Sequence, residues 1–384
     1  MTFDSLFVPA ALREAVSDSA WLAAMLDAER ALASAEATVG VVPEDAADAI
    51  VGSCRSDLFD VDRLLEDGRA AGNPVEPLVR ALRDRVGGEA AEFVHFGATS
   101  QDILDTAAAL VAGRATTLVL EELDGAAREC ARLADEHRGT VMAARTLLQQ
   151  AVPTTFGLKA ASWLVGVVHG RNRLAALHLP AQLGGAAGTL AALGDNGLAV
   201  LNAFARELQL PTPVVPWHTR RLPLAELGAE LAVATGFAAK IALDLALLAQ
   251  TEVGEVREPF EGKSSTMPQK RNPVGSAITR ACAEHVRAAA SVLLRVEHEH
   301  ERAAGAWHSE WKALSDALAY TGGGVAWLRE TLAGLEVDVE RMRANIVSET
   351  LSEARRFAPD VSEPEQYLGA ADAFVDRALA FYRG

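Results

Sequence analysis

From residue 110 onward, Ala- and Leu-rich stretches recur around 113–138, 156–179, 186–208, 222–256, 273–303 and 313–334. Each carries apolar residues on more than one face, as Leu243, Leu245, Leu247 and Leu248 do. A helix that is apolar on several sides needs neighbours on most of them, so these stretches predict long helices packed in a bundle. No period-2 run of β-branched residues is long enough for a central sheet. The composition agrees: 50% apolar residues with only 5% aromatics favours helices built from Ala and Leu. The expected fold class is all-α.

Upstream, AWLAAMLDAERALASAEAT (20–38) places Leu22, Met25, Leu26, Glu29 and Leu32 at spacings of three and four, the period of an amphipathic helix. Pro43, and then Gly72-Asn73-Pro74, break the chain before HFGATSQD. These signals divide the 384 residues into a small N-terminal helical domain (1–110), a central long-helix bundle (111–341) and a shortened C-terminal helical segment (342–384) punctuated by Pro359 and Pro364.

A formal charge of −16 repels nucleic acid and anionic lipid at long range, so neither is an expected partner. An anionic ligand would need local cations to override that field. Cys54, Cys130 and Cys282 lie far apart with no metal-ligand spacing, which predicts no disulfide framework and no metal. The N-terminus lacks a basic, then apolar, leader pattern, and no unbroken apolar run reaches the ~18 residues of a membrane span. A cytoplasmic protein with no membrane partner is expected.

EGKSSTMPQKRNPVG (261–275) contains Gly262-Lys263-Ser264, the end of a phosphate-binding loop, but Arg257 stands where that loop needs its first Gly. A different design fits better. Asn272-Pro273 reads as a helix start, with Asn as N-cap and Pro at the first helical position. Thr99-Ser100-Gln101-Asp102 and Pro153-Thr154-Thr155 precede helical runs in the same way. Hydroxyls and free N–H groups at three helix starts, with Arg145, Lys270 and Arg271 nearby, suit carboxylate binding without a metal or cofactor.

KSSTMPQKRNP is similar to the GSSxMPxKxNP signature of the fumarase/aspartase superfamily. HFGATSQDILDTA resembles the first conserved region of that superfamily and RTLLQQAVPTTFG the second, in the same order. Within it, PWHTRR (216–221), ERAAGAWHSEW (301–311) and YLGAADAFVDRAL (367–379) most resemble the bacterial 3-carboxy-cis,cis-muconate cycloisomerases. The resemblance implies reversible lactonisation of a small polycarboxylate, with a homotetramer in which three chains build each site. It matches Ser264 to the residue that moves a proton next to a carboxylate, with Ser265 as the alternative by position. Lys270 and Asn272 match the groups that hold that carboxylate in its aci form. Thr99, Ser100 and Thr154, with Thr155, match carboxylate ligands. His95, Gln149, Gln150, Trp163 and Met267 become pocket candidates. His218, Arg221, Arg302 and His308 become candidate cations for further carboxylates.

One departure bears on the chemistry. Superfamily members that expel a hydroxyl or an amine carry His after Arg-Thr in the second region, and here the residue is Leu147. Poor leaving groups need a general acid; a carboxylate does not. Leu147 therefore fits a cycloisomerase and argues against fumarase, adenylosuccinate lyase and argininosuccinate lyase chemistry. A nitrosuccinate-type lyase, with its weakly basic nitrite, stays open, and an adenylosuccinate-lyase-like enzyme is kept as an alternative beside it. So is a structural protein on the same fold, which Ser264, Lys270 and Asn272 together oppose. Two further departures are Lys263, where a Gly usually precedes the catalytic Ser, and the short segment between Ile346 and Pro364.

Overall fold

The computed structural model describes residues 3–260, 262–263, 266–267 and 270–384. Ser264 and Ser265 lie outside the described residues. Seven long helices organise the chain: α1 (Asp18–Val39), α2 (Ser100–Glu136), α3 (Phe156–Ala175), α4 (Leu222–Leu248), α5 (Val274–Leu293), α6 (Ala306–Ala333) and α7 (Ala371–Arg383). The all-α expectation holds. α2, α4, α5 and α6 pack on one another as the central bundle, α1 and α3 pack along α2, and α7 lies against α3.

The core is built from small residues at the crossings. Gly322, Gly323 and Gly324 on α6 are buried, and a Cβ on Gly323 would collide with the backbone at Phe7. Such close approach lets helices rich in Ala and Leu bury most of their surface without aromatics. α2 and α4 are in fact long and apolar enough to cross a membrane by length and composition, contrary to the unbroken-run reading. In the fold, 61% and 50% of their apolar windows are buried against the protein itself.

Three boundaries differ from the sequence reading. α2 begins at Ser100, so the expected division at residue 110 falls inside a continuous helix. The 186–208 stretch is helical only from a short 3₁₀ turn at Ala191–Asn196 and the helix Gly197–Glu207; in the segment before it Gly185 and Gly188 adopt positive φ, which breaks a helix. The second motif is an antiparallel hairpin, β1 (Val141–Thr146) and β2 (Gln149–Thr155), not a loop. A second small pairing, β3 (Val256–Arg257) with β4 (Glu336–Val337), ties the chain before the signature to the end of α6.

Candidate active site

α2 starts with a capping box, in which Thr99 caps the third helical residue and the Asp102 carboxylate accepts from the Thr99 N–H at 3.0 Å. Asp102 is fully buried and also accepts from the N–H groups of Gly184 and Gly185, both at 2.9 Å. Gln182 Nε2 donates to it at 3.2 Å, and its fifth partner is His218 Nε2, at 2.7 Å. His218 thus holds the base of this motif together and is not an open cation.

Arg221 is corrected more strongly. It is 1% exposed, with its guanidinium paired to Asp105 at 2.7 Å and Glu310 at 2.6 Å and its face over the Trp217 ring. Two protein carboxylates already neutralise it, so no substrate carboxylate has reason to bind there. Burial pushes the Glu310 carboxyl upward while Arg221 pulls it back. Arg302 differs: it donates to Gln101 Oε1 at 3.0 Å and to the Ala186 carbonyl at 2.8 Å, and among the described residues no carboxylate pairs with it. Its charge is left without a carboxylate partner among the described residues. His308 is exposed and sits edge-on to Trp307.

His95 occupies the left-handed region, with φ 63°, and its Nδ1 lies 2.6 Å from Glu29 Oε1. Burial works against the charged imidazole, but Glu29 and then Asp102 outweigh it and Arg83, so the His95 pKa is raised. Sequence reasoning did not assign Glu29 a role. The signal was present, since an acid stands in the otherwise apolar stripe Leu22, Met25, Leu26, Leu32.

The second and third motifs share another region. At the hairpin tip Leu147 and Leu148 both adopt positive φ, 51° and 64°, and are 96% and 73% exposed. Arg145 is bound by both carboxylate oxygens of the buried Glu255, at 2.9 and 2.6 Å, which corrects its expected place as an open cation. Gln150 bonds the Asn345 carbonyl at 2.8 Å and receives the Val347 N–H, so it ties the C-terminal segment to the hairpin; Gln149 is exposed. Thr154 is half-buried, while Thr155 caps α3 by accepting from the Leu158 N–H at 3.1 Å. Trp163 is a core residue, not a pocket wall: it is fully buried, stacks edge-on with Phe156 and donates to Asp244 at 2.7 Å.

The signature loop is closed at its base. The backbones of Lys263 and Arg271 form an antiparallel β-bridge, and the Gly262 carbonyl accepts from Asn272 twice, from its N–H at 3.1 Å and its side-chain Nδ2 at 2.7 Å. Gly262 has φ 36°, and a Cβ there would strike the Asn272 carbonyl oxygen. Asn272 therefore clamps the loop and is not the N-cap of α5, which starts at Val274. Glu258 takes the helix start instead, accepting from the N–H groups of Gly275 at 2.8 Å and Ser276 at 3.1 Å. The anion site expected at this terminus already holds a protein carboxylate. Lys270 and Met267 are exposed on the loop, and a cleft of about 590 Å³ beside it is lined by Arg257, Arg271, Asn272 and Asp338.

These groups stand at opposite ends of the bundle. Arg221 immediately precedes α4 and Glu255 follows it, and 27 helical residues span about 40 Å. α6 runs the same length, from Trp307 near the first motif to Ala333 near the third. One chain does not bring Thr99, His95 and Arg302 to the same small molecule as Lys270.

Residues 8–288 match the family model described as Lyase. The chain belongs to this lyase family. It is an enzyme of the fumarase/aspartase superfamily. Its family relatives include a nitrosuccinate lyase from Streptomyces davaonensis, 44% identical over 432 aligned positions that take in 95% of this chain and 91% of the relative. Another is a 3-carboxy-cis,cis-muconate cycloisomerase from Bradyrhizobium diazoefficiens, 45% identical over 347 positions, 88% of this chain and 77% of the relative. Among solved structures, the 3-carboxy-cis,cis-muconate lactonizing enzyme of Pseudomonas putida superposes with a TM-score of 0.93 at 36% identity, covering 100% of this chain and 99% of that one. The 432 positions exceed the 384 residues here, so that relative carries segments this chain lacks.

Proposed function

We propose that the chain is a 3-carboxy-cis,cis-muconate cycloisomerase acting reversibly on its lactone, 4-carboxymuconolactone, in the catabolism of protocatechuate. The observation that carries this reading is the hairpin tip. The residue at the general-acid position of the superfamily's hydroxyl- and amine-expelling lyases is Leu147, an apolar side chain in open solvent-facing geometry. No proton donor stands there for a basic leaving group, and a carboxylate departs without one at neutral pH.

In the forward direction a substrate carboxylate oxygen attacks the alkene and forms the lactone C–O bond. The alkene electron pair moves onto the adjacent carbon and its carboxylate, which becomes an aci-carboxylate facing Lys270. Ser264 then delivers the proton to that carbon; in reverse it removes it. Asn272 keeps the loop base closed around these groups. Thr99, Ser100, His95 and Arg302 hold the remaining carboxylates from another chain. The site is composite, in a homotetramer in which three chains meet at each site, because the two groups of residues stand at opposite ends of a bundle whose helix α4 is about 40 Å long. No cofactor is required, and the setting is the cytoplasm.

The runner-up is nitrosuccinate cleavage, favoured by a relative of that name aligning over 91% of its own length. Nitrite is also a weak base, so Leu147 suits it equally. The test is a side-by-side panel of carboxymuconate, its lactone, nitrosuccinate, malate, argininosuccinate and adenylosuccinate, run with wild type and Ser264→Ala. Turnover of carboxymuconate or lactone, with kcat reduced at least about a thousandfold in the variant and KM little changed, is expected. Nitrite release without muconate turnover would replace the reading with the runner-up, and rapid adenylosuccinate cleavage would overturn the leaving-group argument.

A further inference from the structure

α1 carries two acids that its neighbours bury. Glu29 is 1% exposed and Glu36, two turns further on, is fully buried. A carboxylate enclosed by apolar residues costs several kcal/mol unless a partner offsets it. Among the described residues Glu29 has one such partner, His95, and its second oxygen has none. His95 in turn makes this single hydrogen bond among the described residues. Its backbone is held at φ 63°, a region that strains a residue with a Cβ, and the chain beside it is fixed where Arg83 donates to the Val94 carbonyl at 3.1 Å. Four residues later in the same motif, Thr99 caps α2.

We infer that Glu29 is a positioning residue for the reaction: bonded to Nδ1, it fixes the His95 ring and reserves the Nε2–H as the donor to a substrate carboxylate. This rests on the reading of the site given above. The charged groups acting on the ring are Glu29 from α1, Asp102 from α2 and Arg83 from the helix Val75–Val86. Glu36 does not compete, because burial and the adjacent Glu29 push its carboxyl up to about 9 and leave it neutral. Cys54, which also feels Glu29, is pushed up to about 12 by burial and stays a thiol. One carboxylate therefore faces one imidazole, and the pair keeps a donor cation in a chain whose net charge repels anions.

The experiment reads the resting enzyme first. With ¹³Cε1-labelled histidine, and His95 assigned by His95→Asn, the His95 signal should titrate above the ordinary histidine value in wild type and in Glu36→Gln, but below it in Glu29→Gln. Glu29→Asp, which keeps the charge, should retain the high midpoint. In turnover at pH 8, Glu29→Gln should lose about tenfold in kcat/KM, carried by KM with kcat within about twofold, because the lost interaction binds a ground-state carboxylate. A midpoint that stays put in Glu29→Gln, one that falls equally in Glu29→Asp, or a loss carried by kcat alone overturns the inference. The titration needs no substrate, so a wild type that failed the carboxymuconate panel would overturn the functional reading and leave the pairing to be judged on its own signal.

Discussion

Among the described residues neither oxygen of Glu36 has a hydrogen-bond partner, so its carboxyl is a buried polar group tolerated only while neutral. Its folded value of about 9 lies above the 4.5 of the unfolded chain. The folded state thus binds the extra proton, and its stability is full below about pH 4.5 and declines as the pH rises toward 9. At pH 7 holding that proton costs on the order of 3 kcal/mol. Glu36→Gln removes the titration and keeps the shape. Urea unfolding should show the variant more stable than wild type by roughly that amount at pH 7, with the difference fading by pH 4.5. Equal stability at both pH values would contradict the burial argument. Arg221 teaches a related lesson, since a cation next to a recognisable motif was expected to meet substrate, and two carboxylates distant in sequence, Asp105 and Glu310, already surround it.

The start of α5 depends on a side chain that precedes it by sixteen residues, Glu258, whose oxygens take two helix N–H groups and the Ser276 hydroxyl. Glu258→Ala should lower stability by about 1–2 kcal/mol in thermal or urea unfolding, since it opens two buried donors at a helix terminus. A loss within about 0.5 kcal/mol would mean that water replaces the cap fully. Elements of this kind mark how far the sequence could be read. The long helices were legible because Ala and Leu recur on every face, and Thr99 and Thr155 were legible as caps because the hydroxyl sits at the helix boundary itself. The third start was misread at Asn272-Pro273, because a carboxylate from across a loop supplies the cap and local spacing does not record that. The hairpin escaped for a similar reason: its tip, Leu147-Leu148, turns through positive φ without Gly or Asn, and its strands lack alternation. The Glu29–His95 pair needed the fold to bring together residues 66 apart.

For the whole molecule, the division of the motifs between the two ends of the bundle sets the strongest demand. Four chains of 40.6 kDa should give a particle of about 160 kDa by light scattering. Two inactive variants, Ser264→Ala and Arg302→Ala, should recover activity when unfolded together and refolded as a mixture. About a quarter of the sites would then draw both intact residues from different chains. No recovery in verified mixed particles would show that each chain completes its own site. The exposed leucines at the hairpin tip belong to the same picture, as an apolar end that gains by being covered.

In the composite site proposed above, a helix about 40 Å long between its two halves has a further effect, on how much enzyme there is rather than on how well it works. Catalysis would then be a property of the population of chains. Halving the amount of protein would reduce active centres by more than half once assembly is no longer saturated, so simple dilution would act as an inhibitor and scarcity would silence fully folded chains.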